Sequence, residues 1–135
     1  MDISCRGRYA TRAMLELAQG EQGQPIPLSL IAERQDISRK YLQQLMGSLR
    51  RAGLVRVVKG FRGGFMLSKS ADKIRIGDIL RALEGDLALV ECVRFEDTCP
   101  RNEQCTTRGL WAKASEVIEG YFDSVTLADV NAGEY

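Results

Sequence analysis

The sequence predicts a mainly α chain, a winged helix-turn-helix with a two-stranded β-hairpin wing followed by a long C-terminal helix, and three observations predict it. Apolar residues recur at i, i+3, i+4 and i+7 behind a capping serine, Ser38. Two short strand-like runs flank a glycine-rich basic tip at 59–64. A second apolar stripe at helical spacing extends from about Thr106 to Phe122. With 135 residues, 44% of them hydrophobic and 27% charged, the chain is long enough to bury one core and has the composition of a globular protein.

Taken in order, Gly7 to Ala18 places Tyr9, Ala10, Ala13, Met14, Leu17 and Ala18 on one helical face. Gly20, Gly23, Pro25 and Pro27 then break the pattern. Leu28 to Arg34 reads as a short second helix with Leu30, Ile31 and Ile37 as its buried contacts. Asp36-Ile37-Ser38 is a tight connection into a third helix, about Arg39 to Ala52, whose stripe is Leu42, Leu45, Met46 and Leu49. At 100° per residue the opposite side holds Lys40, Gln44, Gly47 and Arg51, flanked by Gln43 and Arg50. That side has no carboxylate, and glutamine can make the paired hydrogen bonds that read an adenine edge. Gly53 stops the helix; Leu54 to Val58 and Phe65 to Leu67 favour strands, and Lys59 and Arg62 give the tip between them positive charge.

Beyond Lys69, Ile76 to Leu87 reads as a helix with Ile79, Leu80, Leu83 and Leu87 on one side, and 88–105 as an irregular segment. The helix from Thr106 to Phe122, roughly 25 Å long, carries Leu110, Trp111, Ala114, Val117, Ile118, Tyr121 and Phe122, more apolar surface than so small a domain buries alone. A partner is therefore expected on it. A further short helix starts at Thr126, with Asp129 at capping-box spacing.

The net charge of +1 hides a partition. Residues 1–69 hold 12 Lys/Arg against 5 Asp/Glu, net +7, and residues 70–135 hold 7 against 13, net −6. Between Arg39 and Lys69 there are eight basic residues and no acidic one, the footprint of a nucleic-acid binder. The expected organisation is a DNA-binding region at 1–69 and a second region at 70–135 with its own task. The absence of histidine excludes Ser-His-Asp and Cys-His enzymes and every histidine-containing metal site. No nucleotide-cradling glycine motif occurs, so no enzyme is expected. No apolar run is long enough to span a bilayer and the first residues lack a secretory core, so a cytoplasmic, membrane-free protein is expected.

Four cysteines stand at 5, 92, 99 and 105, and the last three crowd into one polar loop, 92–105. Zinc prefers a C-x2-C knuckle, whereas wider spacing on a loop suits an iron–sulfur cluster, whose irons take thiolates from points farther apart. A thiol or disulfide switch, a zinc site and incidental cysteines are the other readings. Trp111 lies on its helix's apolar stripe and is read as packing. Gly47 either weakens its helix or lets a DNA backbone approach.

Gly7-Arg8-Tyr9-Ala10, Tyr41-Leu42-x-Gln44-Leu45, Lys59-Gly60-x-x-Gly63-Gly64-Phe65-x-Leu67 and Cys105-x4-Leu110-Trp111 together resemble the bacterial winged-helix regulators that include IscR, NsrR and CymR, over nearly the whole chain. The chain is most similar to the IscR-like subgroup, homodimeric transcription factors that carry a 2Fe-2S cluster and govern cluster-assembly genes. The resemblance implies Cys92, Cys99 and Cys105 as ligands of an iron–sulfur cluster, 2Fe-2S in preference to 4Fe-4S. It implies Ser38, Lys40, Tyr41, Gln43 and Gln44 in the major groove, and Lys59, Gly60, Phe61 and Arg62 in the minor groove, of double-stranded DNA. A symmetric dimer formed through the long helix would set two such helices about one DNA turn, ~34 Å, apart on a near-palindromic operator. The implied role is control of iron–sulfur biogenesis or of a redox, iron or nitrosative stress response. The alternative is a clusterless CymR-like regulator governed by a protein partner or by thiol oxidation.

Three positions depart from the IscR pattern: one extra residue separates the first two cysteines, Gln43 replaces a glutamate, and Arg108 stands where a ligating histidine is expected. The fourth ligand is then open between the partner's Cys5, from its N-terminal arm, and the local carboxylates Asp97 and Glu103. The partner's Cys5 would complete a four-cysteine set that favours 4Fe-4S.

Overall fold

The computed structural model describes residues 2–21 and 23–135. Helix α1 spans Cys5–Gln19, α2 Leu28–Gln35 and α3 Arg39–Arg51; strands β1 (Val55–Val58) and β2 (Gly64–Leu67) form an antiparallel hairpin. Then come α4 (Ile76–Glu84), a single turn α5 (Glu91–Arg94), the long α6 (Thr106–Ser124) and a short α7 (Leu127–Ala132). The winged helix-turn-helix and the long C-terminal helix stand as the periodicities predict.

Two of the boundaries that differ from the expected ones have a plain local reason. α1 begins at Cys5 rather than Gly7 because the Ser4 hydroxyl accepts from the Gly7 N–H at 3.3 Å and so caps the helix two residues early. α4 ends at Glu84 rather than Leu87 because Gly85 takes φ 78°, and its N–H closes onto the Arg81 carbonyl at 3.0 Å. Leu87 is buried all the same, reached by extended chain. The segment 88–105, expected to be irregular, contains α5 and one 3-10 turn at Asn102–Gln104.

The α3 stripe Leu42, Leu45, Met46 and Leu49 is buried to 1% exposure or less. It meets Ala10, Ala13 and Met14 of α1, Ile31 of α2, and Ile79, Leu80 and Leu83 of α4 in one hydrophobic cluster. Ile74, Val125 and Leu127 belong to the same cluster, so regions 1–69 and 70–135 share a core. α2 is also tied to α1 by polar contacts. Arg12 Nε donates to Gln35 Oε1 at 2.7 Å, Gln35 Nε2 donates to Glu16 Oε1 at 2.6 Å, and Arg34 pairs with Glu16 at 3.3 Å.

The wing pairs Val55 with Leu67 and Val58 with Gly64. Its outer edge is not free. Ile26, between two prolines, exchanges both backbone hydrogen bonds with Phe65, at 3.0 and 2.9 Å, and so anchors the hairpin to the start of α2. Gly64 makes this approach feasible, since a Cβ there would lie 2.3 Å from the Ile26 carbonyl oxygen.

α6 is held to the body by polar and backbone links and by Phe122, which packs against the core. Arg81 donates to both carboxylate oxygens of Asp123, at 2.7 and 3.0 Å, and reaches Glu119 at 3.4 Å. Just past α6, the Ile76 N–H donates to the Val125 carbonyl at 2.9 Å and the Leu127 N–H to the Ile74 carbonyl at 2.8 Å. α7 opens with the expected capping box, Thr126 with Asp129.

The Arg81 hydrogen bonds hold the Asp123 carboxyl below the usual carboxylate range, and Arg75 does the same to Asp78. A carboxylate whose folded pKa is depressed stabilises the fold fully above its unfolded pKa, about 3.9, and loses that contribution as pH falls through the folded value. In urea titrations followed by circular dichroism, wild-type stability is expected to fall below about pH 4. Asp123→Asn is expected to be less stable at pH 7 and to fall less steeply in acid; parallel curves for the two proteins would refute the role given to this pair.

Candidate nucleic-acid interface and cysteine loop

With its stripe facing the core, α3 turns Lys40, Gln43, Gln44 and Arg51 outward, and all four are exposed. Ser38, also exposed, caps the helix by accepting from the Tyr41 N–H at 3.1 Å. Tyr41 is half-buried. Its ring meets Tyr9 edge-on with centroids 6.2 Å apart, and the Arg12 guanidinium stacks 5.2 Å from the centre of the Tyr9 ring. An open cleft of about 430 Å³ runs along the outward side of α3, with Arg6 of α1 on its wall. Arg6 went unnoticed in the sequence because nothing in its neighbourhood signals that the start of α1 lies beside α3.

At the wing tip Lys59, Gly60, Phe61 and Arg62 are exposed, Phe61 fully so, and the Gly63 N–H donates to the Gly60 carbonyl at 3.0 Å to close the turn. A fully exposed phenylalanine between two cations gains nothing in the isolated chain. It is the kind of side chain that wedges against base steps from a minor groove.

Cys92 lies in α5, Cys99 directly precedes Pro100, and Cys105 is the residue on which α6 begins. All three are free and half-buried. The Cys105 thiol is pushed down by the Thr107 hydroxyl, 3.2 Å away, and by the backbone N–H groups of Arg108 and Thr107 at the helix start. Arg108, standing where the resemblance expects a histidine, donates from Nε to the Cys92 carbonyl at 3.2 Å, and its Nη2 lies 4.0 Å from Glu96. It thus joins the beginning of the loop to α6. The Asn102 amide donates to the Glu96 carbonyl, while its Oδ1 is buried without a partner.

Half-buried thiols on one loop suit the thiolate donor set of an iron–sulfur cluster. Among the described residues, however, no three Cys, Asp or Glu side chains converge closely enough to hold a metal ion. Asp97 and Glu103 are exposed on the same loop. Cys5, expected on an N-terminal arm, is instead the first residue of α1, exposed, with Arg8 Nη2 3.1 Å from its sulfur. No helix among the described residues is long and apolar enough to cross a membrane.

The base of the loop is fixed by a buried hydroxyl. Ser115 of α6, 3% exposed, accepts from the Leu89 N–H at 3.0 Å and donates to the Trp111 carbonyl at 2.8 Å. Part of the apolar stripe of α6 faces outward. Leu110, Trp111, Val117 and Tyr121 are all exposed, Leu110 to 58% and Val117 to 61%.

A model of the Rrf2 family, described as iron-dependent transcriptional regulators, matches residues 3–133. The HTH-type transcriptional regulator IscR of Serratia proteamaculans is 39% identical over 130 residues, 96% of this chain and 79% of that protein. Protein rrf2 of Nitratidesulfovibrio vulgaris is also 39% identical, over 96% of this chain and 87% of its own length. Among solved structures, CymR, the global cysteine regulator of B. subtilis, superposes with TM-score 0.80 at 37% identity, covering 98% of this chain and 97% of that one. IscR of T. potens does so with TM-score 0.79 at 38% identity, covering 100% and 89%.

Replacing Ser115 by alanine leaves the Leu89 N–H without its partner. The expected cost is about 1–3 kcal/mol of stability, together with faster hydrogen exchange of the Leu89 amide. Unchanged exchange at Leu89 would show that this hydroxyl does not hold the loop.

Proposed function

Since this chain belongs to the Rrf2 family of transcriptional regulators, we propose that it acts as a homodimer that binds double-stranded DNA at a near-palindromic operator and is governed by an iron–sulfur cluster. The observation behind the DNA-binding part is the outward side of α3. Lys40, Gln43, Gln44 and Arg51 stand exposed with no carboxylate among them, ahead of a wing tip with Lys59 and Arg62 exposed. In this reading Gln43 and Gln44 read base edges in the major groove, with Ser38, Lys40, Tyr41 and Arg51 beside them. Lys59, Gly60, Phe61 and Arg62 enter the minor groove. Tyr41, half spent on Tyr9, contributes only its free edge.

The exposed stripe Leu110, Trp111, Val117 and Tyr121 supports dimerisation through α6. Specific dimers usually bury about 1,200–2,000 Å² in total, and a 19-residue helix paired with its copy can supply much of that. The region 70–135 would then hold the dimer and the cysteine loop, and 1–69 the DNA.

Cys92, Cys99 and Cys105 would hold the cluster, which when bound supplies iron chemistry sensitive to redox state and to iron supply. The chain's own part is to present three accessible thiols, two of them at the ends of a loop that Arg108 bridges. The loop must draw its thiols closer than they stand in the free chain, and α5 and the start of α6 must shift with it. Arg108 has no lone pair to offer as an ordinary ligand. Asp97, Glu103 and the partner's Cys5 are the candidates for the fourth position, and 2Fe-2S is favoured over 4Fe-4S. A role in iron–sulfur biogenesis or in an iron or redox stress response follows from that cofactor.

A second reading has its own support. The thiols are free, no ligand set is gathered among the described residues, and CymR covers 98% of this chain. In that reading the cysteines act as thiol switches, or the regulator answers to a protein partner. Purification under argon separates the two. Native mass spectrometry is expected to show iron and sulfide mass, and absorption spectroscopy a visible thiolate-to-iron band, both lost in Cys92→Ala. Iron-free, colourless protein would leave the thiol reading standing.

On DNA, Lys59→Ala is expected to weaken binding to every duplex alike, whereas Gln44→Ala is expected to lose about 1–3 kcal/mol of discrimination at one position in each half-site. Competition binding against single-substitution duplexes measures both; identical profiles would remove the division of labour between α3 and the wing.

A further inference from the structure

The cleft along α3 is walled by a second helix. Arg6, in the first turn of α1, lines the same open space as Lys40 and Arg51 of α3. We infer that α1 and α3 together form a clamp for successive DNA backbone phosphates, with Arg6 on one wall, Lys40 and Arg51 on the other, and Gly47 as its floor. The inference rests on the DNA-binding reading above and goes beyond it in two respects. It adds a residue of the first helix to the footprint, and it assigns Arg51 to the sugar–phosphate chain rather than to bases.

Four observations support it. The lining contains three cations and no carboxylate, and the ion pairs among the described residues engage Arg34, Arg75, Arg81, Arg94, Arg108 and Lys113, all outside the cleft. Arg51 is already aimed. Its Nη2 donates to the Ser48 hydroxyl at 3.1 Å, and Ser48 is buried and turned back onto the Gln44 carbonyl at 3.5 Å. A guanidinium fixed in this way loses less rotamer freedom when an anion binds, and its planar fork matches phosphate oxygens. Position 47 carries no side chain, and a Cβ there would meet nothing but the tip of Arg51, at 3.5 Å. The helix backbone is therefore open to close approach. Lys40 and Arg51 are eleven residues apart, about 16 Å along the axis, too far for one phosphate and suited to a run of them.

Phosphate contacts and base contacts have different signatures. Each phosphate neutralised contributes about 0.9 to the slope of log affinity against log salt, and carries no sequence information. The probe is a duplex selected by the wild-type protein from a random-sequence pool, compared with its scrambled counterpart over a series of KCl concentrations. Arg6→Ala and Arg51→Ala are each expected to flatten the slope by about 0.9 per bound protomer. The ratio of selected to scrambled affinity should change less than about twofold. Arg6→Lys should restore the slope, and Ser48→Ala should weaken binding yet add nothing in an Arg51→Ala background. Thermal melts of the variants, exposed at 6 and 51, report that the fold is intact. A wild-type slope in Arg6→Ala, or a loss of base preference in Arg51→Ala, overturns the clamp while leaving the DNA-binding reading in place. Failure of the wild-type protein to select any duplex overturns both.

Discussion

The structure depends on the rotational setting of α3. Leu42, Leu45, Met46 and Leu49 are buried to 1% exposure or less against three other helices, and truncating any one of them would cost on the order of 2–5 kcal/mol. Rolling the helix by a single residue, 100°, would expose the whole stripe. The orientation of Lys40, Gln44 and Arg51 is therefore a consequence of the core rather than a property of those side chains. The wing is positioned in a similar way, because Ile26 pairs with Phe65 and ties β2 to the residue that leads into α2. Both parts of the candidate DNA surface thus hang on one rigid body.

α6 is attached on different terms. Of its nineteen residues only Ser115 is buried. It is held by Arg81 to Asp123 and Glu119 near one end and by Ser115 to Leu89 and Arg108 to Cys92 nearer the other. The half-exposed ion pairs contribute about 1 kcal/mol or less each, and the single hydrogen bonds about 0.5–1.5 kcal/mol each in net terms. The cysteine loop lies at the end held by single hydrogen bonds, so on the proposed reading a modest ligation energy would suffice to reset it. The same energy applied to α3 would leave the apolar stripe in place. In the proposed dimer built on α6, resetting the loop would change how the two bodies are spaced without deforming either of them.

The parts legible in the sequence are those governed by local periodicity and local chemistry. The α3 stripe, the Ser38 cap, the hairpin and the Thr126–Asp129 capping box are patterns of spacing within a few residues, and they fold as spaced. What escaped the sequence is what tertiary contact decides. Ile26, isolated between prolines, gives no strand signal of its own, yet it becomes the third partner of the wing. α5 is too short to show a period. Arg108 was legible as a departure from a ligand pattern, but its bond to the Cys92 carbonyl depends on where α5 packs. Ser115 sits in an apolar stripe as an exception, and only the arrival of the Leu89 N–H explains it. The cysteine spacing shows crowding on one loop; whether the sulfurs gather is set by the loop's fold.

The partition of charge gives these arrangements a direction. A chain with net charge +1 has little overall attraction to a polyanion, yet residues 1–69 carry +7 and residues 70–135 carry −6. Approaching a duplex, such a molecule experiences a torque before it experiences much attraction, and the basic face turns toward the phosphates while the acidic region turns away. The long helix and the cysteine loop belong to the repelled region, so on the proposed reading they would be left free for a partner chain and for a cofactor while the DNA surface is occupied. The separation works only because the eight cations between Arg39 and Lys69 have no carboxylate among them to neutralise the field close to the surface. With a Debye length of about 8 Å at physiological salt, what the DNA senses is the nearest layer of charge. On the proposed reading that layer would be the outward side of α3 and the wing tip, and its composition would matter more to binding than the net charge of the chain.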